Sequence, residues 1–206
     1  MKALLINGSP HEHGSTAAAL EEIAAALEQN GVETVTLWLG TEPIRGCIGC
    51  GACRKLGHCV YDDVVNRAAE LAKGCDAYVF GSPVHYAGAS GAIISFLDRF
   101  YFSGGEHSHK PCAVAVAARR GGTTAAIEQL TKYPTYARQP LVSGHYWPMV
   151  HGTSADEVRQ DAEGMSVMRD IGRNMAWLLH CIEAGRAAGF EPPAREVPAL
   201  KTNFIR

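Results

Sequence analysis

The stretch KALLINGSPHEHGSTAAALEEIAAALEQNG, residues 2–31, decides the fold. Ala3 to Asn7 is a short, mostly apolar run, the pattern of a parallel strand covered on both faces. Gly8 to Thr16 follows as a loop rich in turn residues. Leu20, Ile23, Ala24 and Leu27 then recur at helical spacing, with Glu21, Glu22 and Glu28 on the other side, until Asn30-Gly31 closes the helix. Strand, Gly/Ser/Thr loop and helix make the first unit of an α/β fold.

The same unit returns along the chain. Val32 to Trp38 alternates and is β-branched, so it reads as a second strand. Asp62 and Asp63 start a helix through Lys73, where carboxylates suit the positive end of the dipole. Ala77 to Phe80, extended by Cys75 and Asp76, is a third strand ending in the loop Gly81 to Gly88, and a helix follows through Ile93, Ile94, Leu97 and Phe100. Cys112 to Ala118 is almost wholly small and apolar, the pattern of a central strand. After the loop Arg119 to Thr123 come a helix over Ala125–Tyr133 that Pro134 interrupts, a fifth strand over Leu141–Tyr146, and a long final helix from Gln160 to Ala188. In that helix Met168, Ile171, Met175, Leu178 and Ile182 form a narrow apolar seam, read as core packing, with a dimer interface as the second reading. This alternation predicts an α/β doubly wound sheet of five parallel strands with helices on both faces. A single domain spanning 1–206 is expected, with a tail from about residue 190 that runs over the surface or a neighbouring subunit.

A cysteine-rich loop, 46–60, interrupts the pattern after the second strand. Its core, GCIGCGACRKLGHC, holds four of the seven cysteines: Cys47, Cys50, Cys53 and Cys59. Glycines and an alanine fill the gaps, so the backbone can turn tightly enough for several thiolates to converge. The first three have the C-x-x-C-x-x-C spacing of iron–sulfur ligands. Bare or redox-active thiols are a second reading, and zinc is a third, weakened because structural zinc sites pair two separated knuckles. Cys75, Cys112 and Cys181 lie in apolar surroundings and read as core residues.

A formal net charge of −2 and no block of like charge exclude a nucleic-acid footprint and a polybasic membrane patch. The apolar start is too short for a signal peptide, and no stretch is long enough to span a bilayer. A cytoplasmic protein with a small-molecule partner is expected, and an odd number of cysteines there favours metal or redox use over a disulfide framework.

In an open α/β sheet the ligand binds beyond the carboxyl ends of the strands. The loop Ser9 to Thr16 offers hydroxyls and N–H groups at a helix start, suited to a monophosphate or to simple capping. It contains neither G-x-G-x-x-G nor a P-loop lysine. Pro83 and Tyr86 beside Gly88, facing Arg119 and Arg120 with two glycines, could border a planar ring carrying developing negative charge. Cations at a helix start oppose the dipole, which calls for a local reason. The pairs His11/His13 and His107/His109 read as surface histidines. No Ser-His-Asp arrangement can be assembled from local signatures, which favours cofactor chemistry over side-chain catalysis.

Taken together, NGSPHEHGST, GCIGCGACRKLGHCVYDD, GSPVHYAGASGAIISFLDRF and AARRGGTT resemble the flavodoxin-like NAD(P)H-dependent FMN reductase family and, within it, the iron–sulfur flavoproteins. SGHYWPMVHG, GRNMAWLL and the terminal TNFIR look like features of one subgroup. The resemblance covers essentially the whole chain. It implies strand order 2-1-3-4-5, and an FMN phosphate held by Ser9, His11, Gly14, Ser15 and Thr16. It further implies that Pro83, Val84, His85, Tyr86, Ala87 and Gly88 line the isoalloxazine and ribityl chain, and that Arg119, Arg120, Gly121 and Gly122 border the ring. Arg119, Arg120 and Tyr86 would take part in turnover with NAD(P)H as co-substrate. Cys47, Cys50, Cys53 and Cys59 would ligate a [4Fe-4S] cluster, and a homodimer or homotetramer would pass electrons to a small-molecule or redox-protein acceptor. A flavodoxin-like single-electron carrier and a thiol or metal redox-sensing module are the rival functions.

Overall fold

A computed structural model of the chain describes residues 1–103, 105–194 and 196. At its centre lie six strands: β1 (Lys2–Asn7), β2 (Glu33–Trp38), β3 (Ala77–His85), β4 (Gly88–Ala89), β5 (Cys112–Ala118) and β6 (Met149–His151). The order is β2-β1-β3-β5-β6, all parallel, with the two-residue β4 folded back antiparallel on β3. With β4 set aside, this is the order 2-1-3-4-5, and the flavodoxin-like, doubly wound fold is as expected.

Helices α1 (Ser15–Gln29) and α7 (Ala162–Ala187), with the short α6 (Ala155–Gln160), cover one face. On the other lie α3 (Val64–Lys73), α4 (Gly91–Ser103) and α5 (Thr123–Tyr136), with the one-turn α2 (Cys53–Leu56) beside α4. Successive strand residues point to opposite faces, and the two faces carry different side chains. Ala3, Leu5, Ala77, Val79, Ala113, Ala115 and Ala117 meet α1 and α7, whereas Leu4, Ile6, Tyr78, Phe80, Val114 and Val116 meet the other layer. Small residues on the first face let the helices close in. At Gly172 of α7 a Cβ would lie 2.6 Å from the Ala26 Cβ and 2.7 Å from the Ile23 carbonyl oxygen, so only glycine allows this helix contact.

The second face is aromatic. Phe96 and Phe100 stack with centroids 5.3 Å apart, and Tyr78 meets Phe100 edge-on at 5.8 Å. His107 is buried in this cluster, 4.7 Å from Phe100 and 5.1 Å from Tyr101, which corrects its reading as a surface histidine. An imidazole is flat and largely apolar, so it packs as a ring once its proton is lost. Burial accordingly pushes its pKa down.

Several expectations are corrected. The third strand does not stop at Phe80 but runs through the expected loop to His85, because Pro83 pairs with Ala117 on β5. The fifth strand is not at Leu141–Tyr146, where only a bridge from Leu141 to Cys112 forms; it is Met149–His151. The segment between leaves the sheet edge and lies on α7: Asn174 donates to the Ser143 carbonyl, and a Cβ at Gly144 would sit 3.0 Å from the Val167 carbonyl oxygen. Packing on the helix thus outweighs β-propensity. Pro134 does not interrupt α5: the helix runs on to Tyr136 and closes with the Ala137 N–H donating to the Tyr133 carbonyl at 3.0 Å. The long final helix forms as expected, over Ala162–Ala187, with Asp161 capping it by accepting from the Gly164 N–H at 2.9 Å.

Cys75 and Cys112 are buried as expected, with both thiols pushed up by burial, but Cys181 is exposed. It lies two residues past buried Leu179, about 200° around the helix. In the apolar seam Met168, Ile171 and Met175 pack in the core against α1, and Leu178 and Ile182 are half-buried. Most of the proline-containing tail, including TNFIR, lies outside the described residues. No helix among the described residues is long and apolar enough to cross a membrane.

Candidate functional site

The three expected loops meet at the carboxyl edge of β1, β3 and β5. Asn7 ends β1 and makes a local turn, its Oδ1 accepting from the Ser9 N–H at 3.0 Å while its amide donates to the Glu12 carbonyl. The Ser9 hydroxyl in turn accepts from the His11 N–H, and Trp38 Nε1 at the end of β2 donates to the Ser9 carbonyl at 2.8 Å. The loop is therefore pinned from both neighbouring strands. Gly14 sits at the N-cap of α1 and supplies no capping side chain, so the first N–H groups of the helix remain open. Thr16, only 1% exposed, has a buried Oγ1 with no partner among the described residues. A buried hydroxyl left unpaired costs about 1–3 kcal/mol. Together with the open helix start, it fits a phosphate.

The second loop is a tight hairpin. Tyr86 and Ala87 form its turn with φ of 48° and 60°, the left-handed region that non-glycine residues rarely adopt. Such strain persists only where the surroundings enforce it. Here α5 does so: Gln129 Oε1 accepts from the Ala89 N–H at 2.8 Å, and Gly122 (φ 94°) leaves room for Ala87, whose Cα would be 2.5 Å from a Cβ there. Tyr86 is fully exposed at the tip, and His85 and Ala87 are exposed beside it. Pro83 and Val84 are half-buried below.

Bonds within the edge tie these loops together. The Gly8 N–H donates to the Gly81 carbonyl at 2.9 Å, the Ser90 hydroxyl to the Gly8 carbonyl at 2.8 Å, and the Ser90 N–H to Ser82 Oγ at 3.0 Å. Asn7, Trp38, Ser82, Ser90 and Gln129 are supporting residues that sequence reasoning missed. Only Asn7 carried a signal, as the first residue of an Asn-Gly-Ser turn. Arg119, Arg120 and Gly121 are exposed at the end of β5, with Gly122 half-buried against the hairpin. The fold thus brings all three loops to one edge, leaving the His11 side chain in solvent.

The cysteine loop reaches the opposite end of α4. Cys47, Cys50, Cys53 and Cys59 line one cavity together with Ile48, Val60, Tyr61, Arg99 and Phe102. Gly49, Gly51 and Gly57 take φ of 66°, 70° and 75°, the turns that fold the chain around it. Among the described residues no three His, Cys, Asp or Glu side chains come close enough to share a single metal ion. Four thiols on one cavity are the donor set that a cluster taking one thiolate at each iron would need.

His145, Ser166 and Asp170 do come together, with Nδ1 of His145 3.2 Å from Asp170 Oδ2 and Nε2 3.3 Å from the Ser166 Oγ. The Ser166 hydroxyl donates to the Glu163 carbonyl at 2.7 Å, which makes the trio a brace for the loop on α7.

The chain is similar to known proteins in both sequence and fold. The model of the NADPH-dependent FMN reductase family matches residues 1–154. An iron–sulfur flavoprotein of Methanocaldococcus jannaschii is 29% identical over 193 residues, covering 89% of this chain and 100% of the relative. Among solved structures, RosB with a bound 8-demethyl-8-formylriboflavin-5′-phosphate intermediate gives a TM-score of 0.69 at 13% identity, over 100% of this chain and 92% of the other. A flavodoxin from the domain Archaea gives 0.59 at 14% identity, over 87% and 99%. The structural likeness confirms the fold, and the sequence match, which runs from the first strand past the last, settles the rest: the chain belongs to the NADPH-dependent FMN reductase family.

Proposed function

We propose that the protein takes hydride from NAD(P)H onto FMN and passes electrons through a [4Fe-4S] cluster at Cys47, Cys50, Cys53 and Cys59 to a small-molecule or redox-protein acceptor. The buried, unpartnered Thr16 hydroxyl beside the open start of α1 carries the flavin reading. When bound, FMN supplies two-electron chemistry and the cluster one-electron chemistry.

The chain's own residues divide the remaining work. Ser9, Gly14, Ser15 and Thr16, with His11 at the loop tip, hold the phosphate. Pro83, Val84, His85 and Tyr86 line the ring, and the strained backbone at Ala87 and Gly88 meets its edge, where an N–H can balance developing charge. Arg119 and Arg120, flanked by Gly121 and Gly122, stabilise the reduced ring or the phosphates of the pyridine nucleotide. A loop that keeps four thiols for one cofactor suits a reducing, cytoplasmic setting. Assembly into a homodimer or homotetramer belongs to the same proposal and is checked by light scattering on eluting protein.

The test mixes FMN-loaded protein with NADPH or NADH under anaerobic conditions and follows flavin absorbance. Bleaching within the dead time of hand mixing is expected. A flavin that stays oxidised would point to a single-electron carrier. Arg120→Ala, on an exposed side chain, should lower NAD(P)H-dependent turnover about tenfold while leaving stability within about 0.5 kcal/mol. Iron, sulfide and flavin analysis of anaerobically purified protein tests the cluster.

A further inference from the structure

Arg99, on the third turn of α4, is 1% exposed, and all five of its N–H groups are used. Nη1 donates to Asp63 Oδ2 at 2.6 Å and to the Arg45 carbonyl at 3.3 Å; Nη2 donates to Asp63 Oδ1 at 2.9 Å and to the Tyr61 carbonyl at 3.1 Å. The remaining donor, Nε, points at Cys59 Sγ, 3.2 Å away. A guanidinium keeps its charge, and its fork is rigid, so fixing both Nη groups fixes the direction of Nε. Asp63 is itself held as the N-cap of α3 by the Val65 N–H at 3.0 Å.

Cys59 is fastened at two further points. Asn66 of α3 accepts from its N–H at 3.0 Å and donates to its carbonyl at 3.0 Å. Cys47 and Cys50, by contrast, are exposed on a stretch whose glycines Gly46, Gly49 and Gly51 meet nothing within 4 Å. A buried guanidinium N–H facing a sulfur makes a charge-assisted contact, which fixes the position of that sulfur more firmly than a neutral one would. N–H groups aimed at cluster sulfurs also favour the more negative, reduced cluster and raise its potential.

We infer that Arg99 is a positioning residue of the cysteine site: it presets Cys59 as the anchor ligand on which the other three cysteines close, and it raises the reduction potential of the cluster held there. This rests on the cluster reading above. Arg99→Lys keeps a cation for Asp63 and removes the Nε fork, whereas Arg99→Gln removes the charge as well. Anaerobic redox titration, with FMN per chain as the control for folding, should place the cluster potential in the order wild type, Arg99→Lys, Arg99→Gln, from least to most negative. Iron per chain measured after a challenge with excess chelator should fall in the same order.

Equal potentials in all three iron-loaded proteins would overturn the role of Arg99 and leave the cluster standing. Wild-type protein carrying FMN but no iron would overturn both. If the Arg99 variants do not fold, cysteine removal reads the same asymmetry: Cys47→Ala should keep a remnant of about three irons, and Cys59→Ala essentially none. Equal iron content in those two proteins would overturn the anchor assignment.

Discussion

The strand-end loops and the cysteine loop are both built from glycine-rich turns, yet they are held in opposite ways. At the strand ends the first two loops are bonded to each other through Gly8, Ser82 and Ser90, and to β2 and α5 through Trp38 and Gln129. The cysteine loop is fastened at Cys59, with a longer contact from Cys53 Sγ to the Phe102 carbonyl, and a Cβ added at any of its glycines would meet nothing within 4 Å. One region is held together by its own bonds; the other is left to be organised by the cluster proposed for it.

The same substitution in each region tests this most severely. At Gly122 (φ 94°) a Cβ would sit 2.5 Å from Ala87 Cα, so Gly122→Ala adds a clash to left-handed strain. We expect about 3 kcal/mol of lost stability by denaturant titration and FMN binding weakened at least 100-fold. At Gly49 (φ 66°) nothing lies within 4 Å, and Gly49→Ala should cost only about 1 kcal/mol, all of it strain. Equal costs would break the comparison.

Removal of metal should act in the reverse sense. Chelation of the iron-loaded protein should raise proteolysis within residues 46–60 about tenfold and leave FMN affinity unchanged. Cleavage that stays constant would mean the loop is organised without its ligand. Thr16→Val sharpens the flavin side: FMN should bind about tenfold more weakly, roughly 1.4 kcal/mol, while the FMN-free protein is as stable as before or more so. A destabilised apo-protein would show that the hydroxyl serves the fold rather than the phosphate.

The smallest effect belongs to the aromatic core around His107. The pKa of His107 lies below its ordinary 6.5 because the ring is buried. The unfolded chain therefore binds the proton more readily, so the stability tied to neutral His107 is complete above about pH 6.5 and is lost as the pH falls below it. In His107→Phe that acid-side slope should flatten in melts run between pH 7 and pH 5.

How much was legible follows the range of the forces. The strand, loop and helix of residues 2–31, the N-cap at Asp63 and the central β5 were visible because periodicity, capping and apolar runs act over a few residues. The loops that would carry FMN, and the cysteine run, were likewise apparent as local composition. Where β6 lies was not, since Leu141–Tyr146 has a strand's residues but packs on α7 through Gly144. Nor could spacing show that Tyr86 and Ala87 are forced into a strained turn by Gly122 and Gln129, some 40 residues on.

By itself, then, the sequence determined the succession of elements, the strand-end loops and four thiols in one short run, because each depends on neighbours in the chain. Only the tertiary structure decided that Arg99, a cation within an apolar helix, turns inward to meet Asp63 and Cys59. A buried charge is stable only where its partners converge, and those partners lie 36 and 40 residues away along the chain.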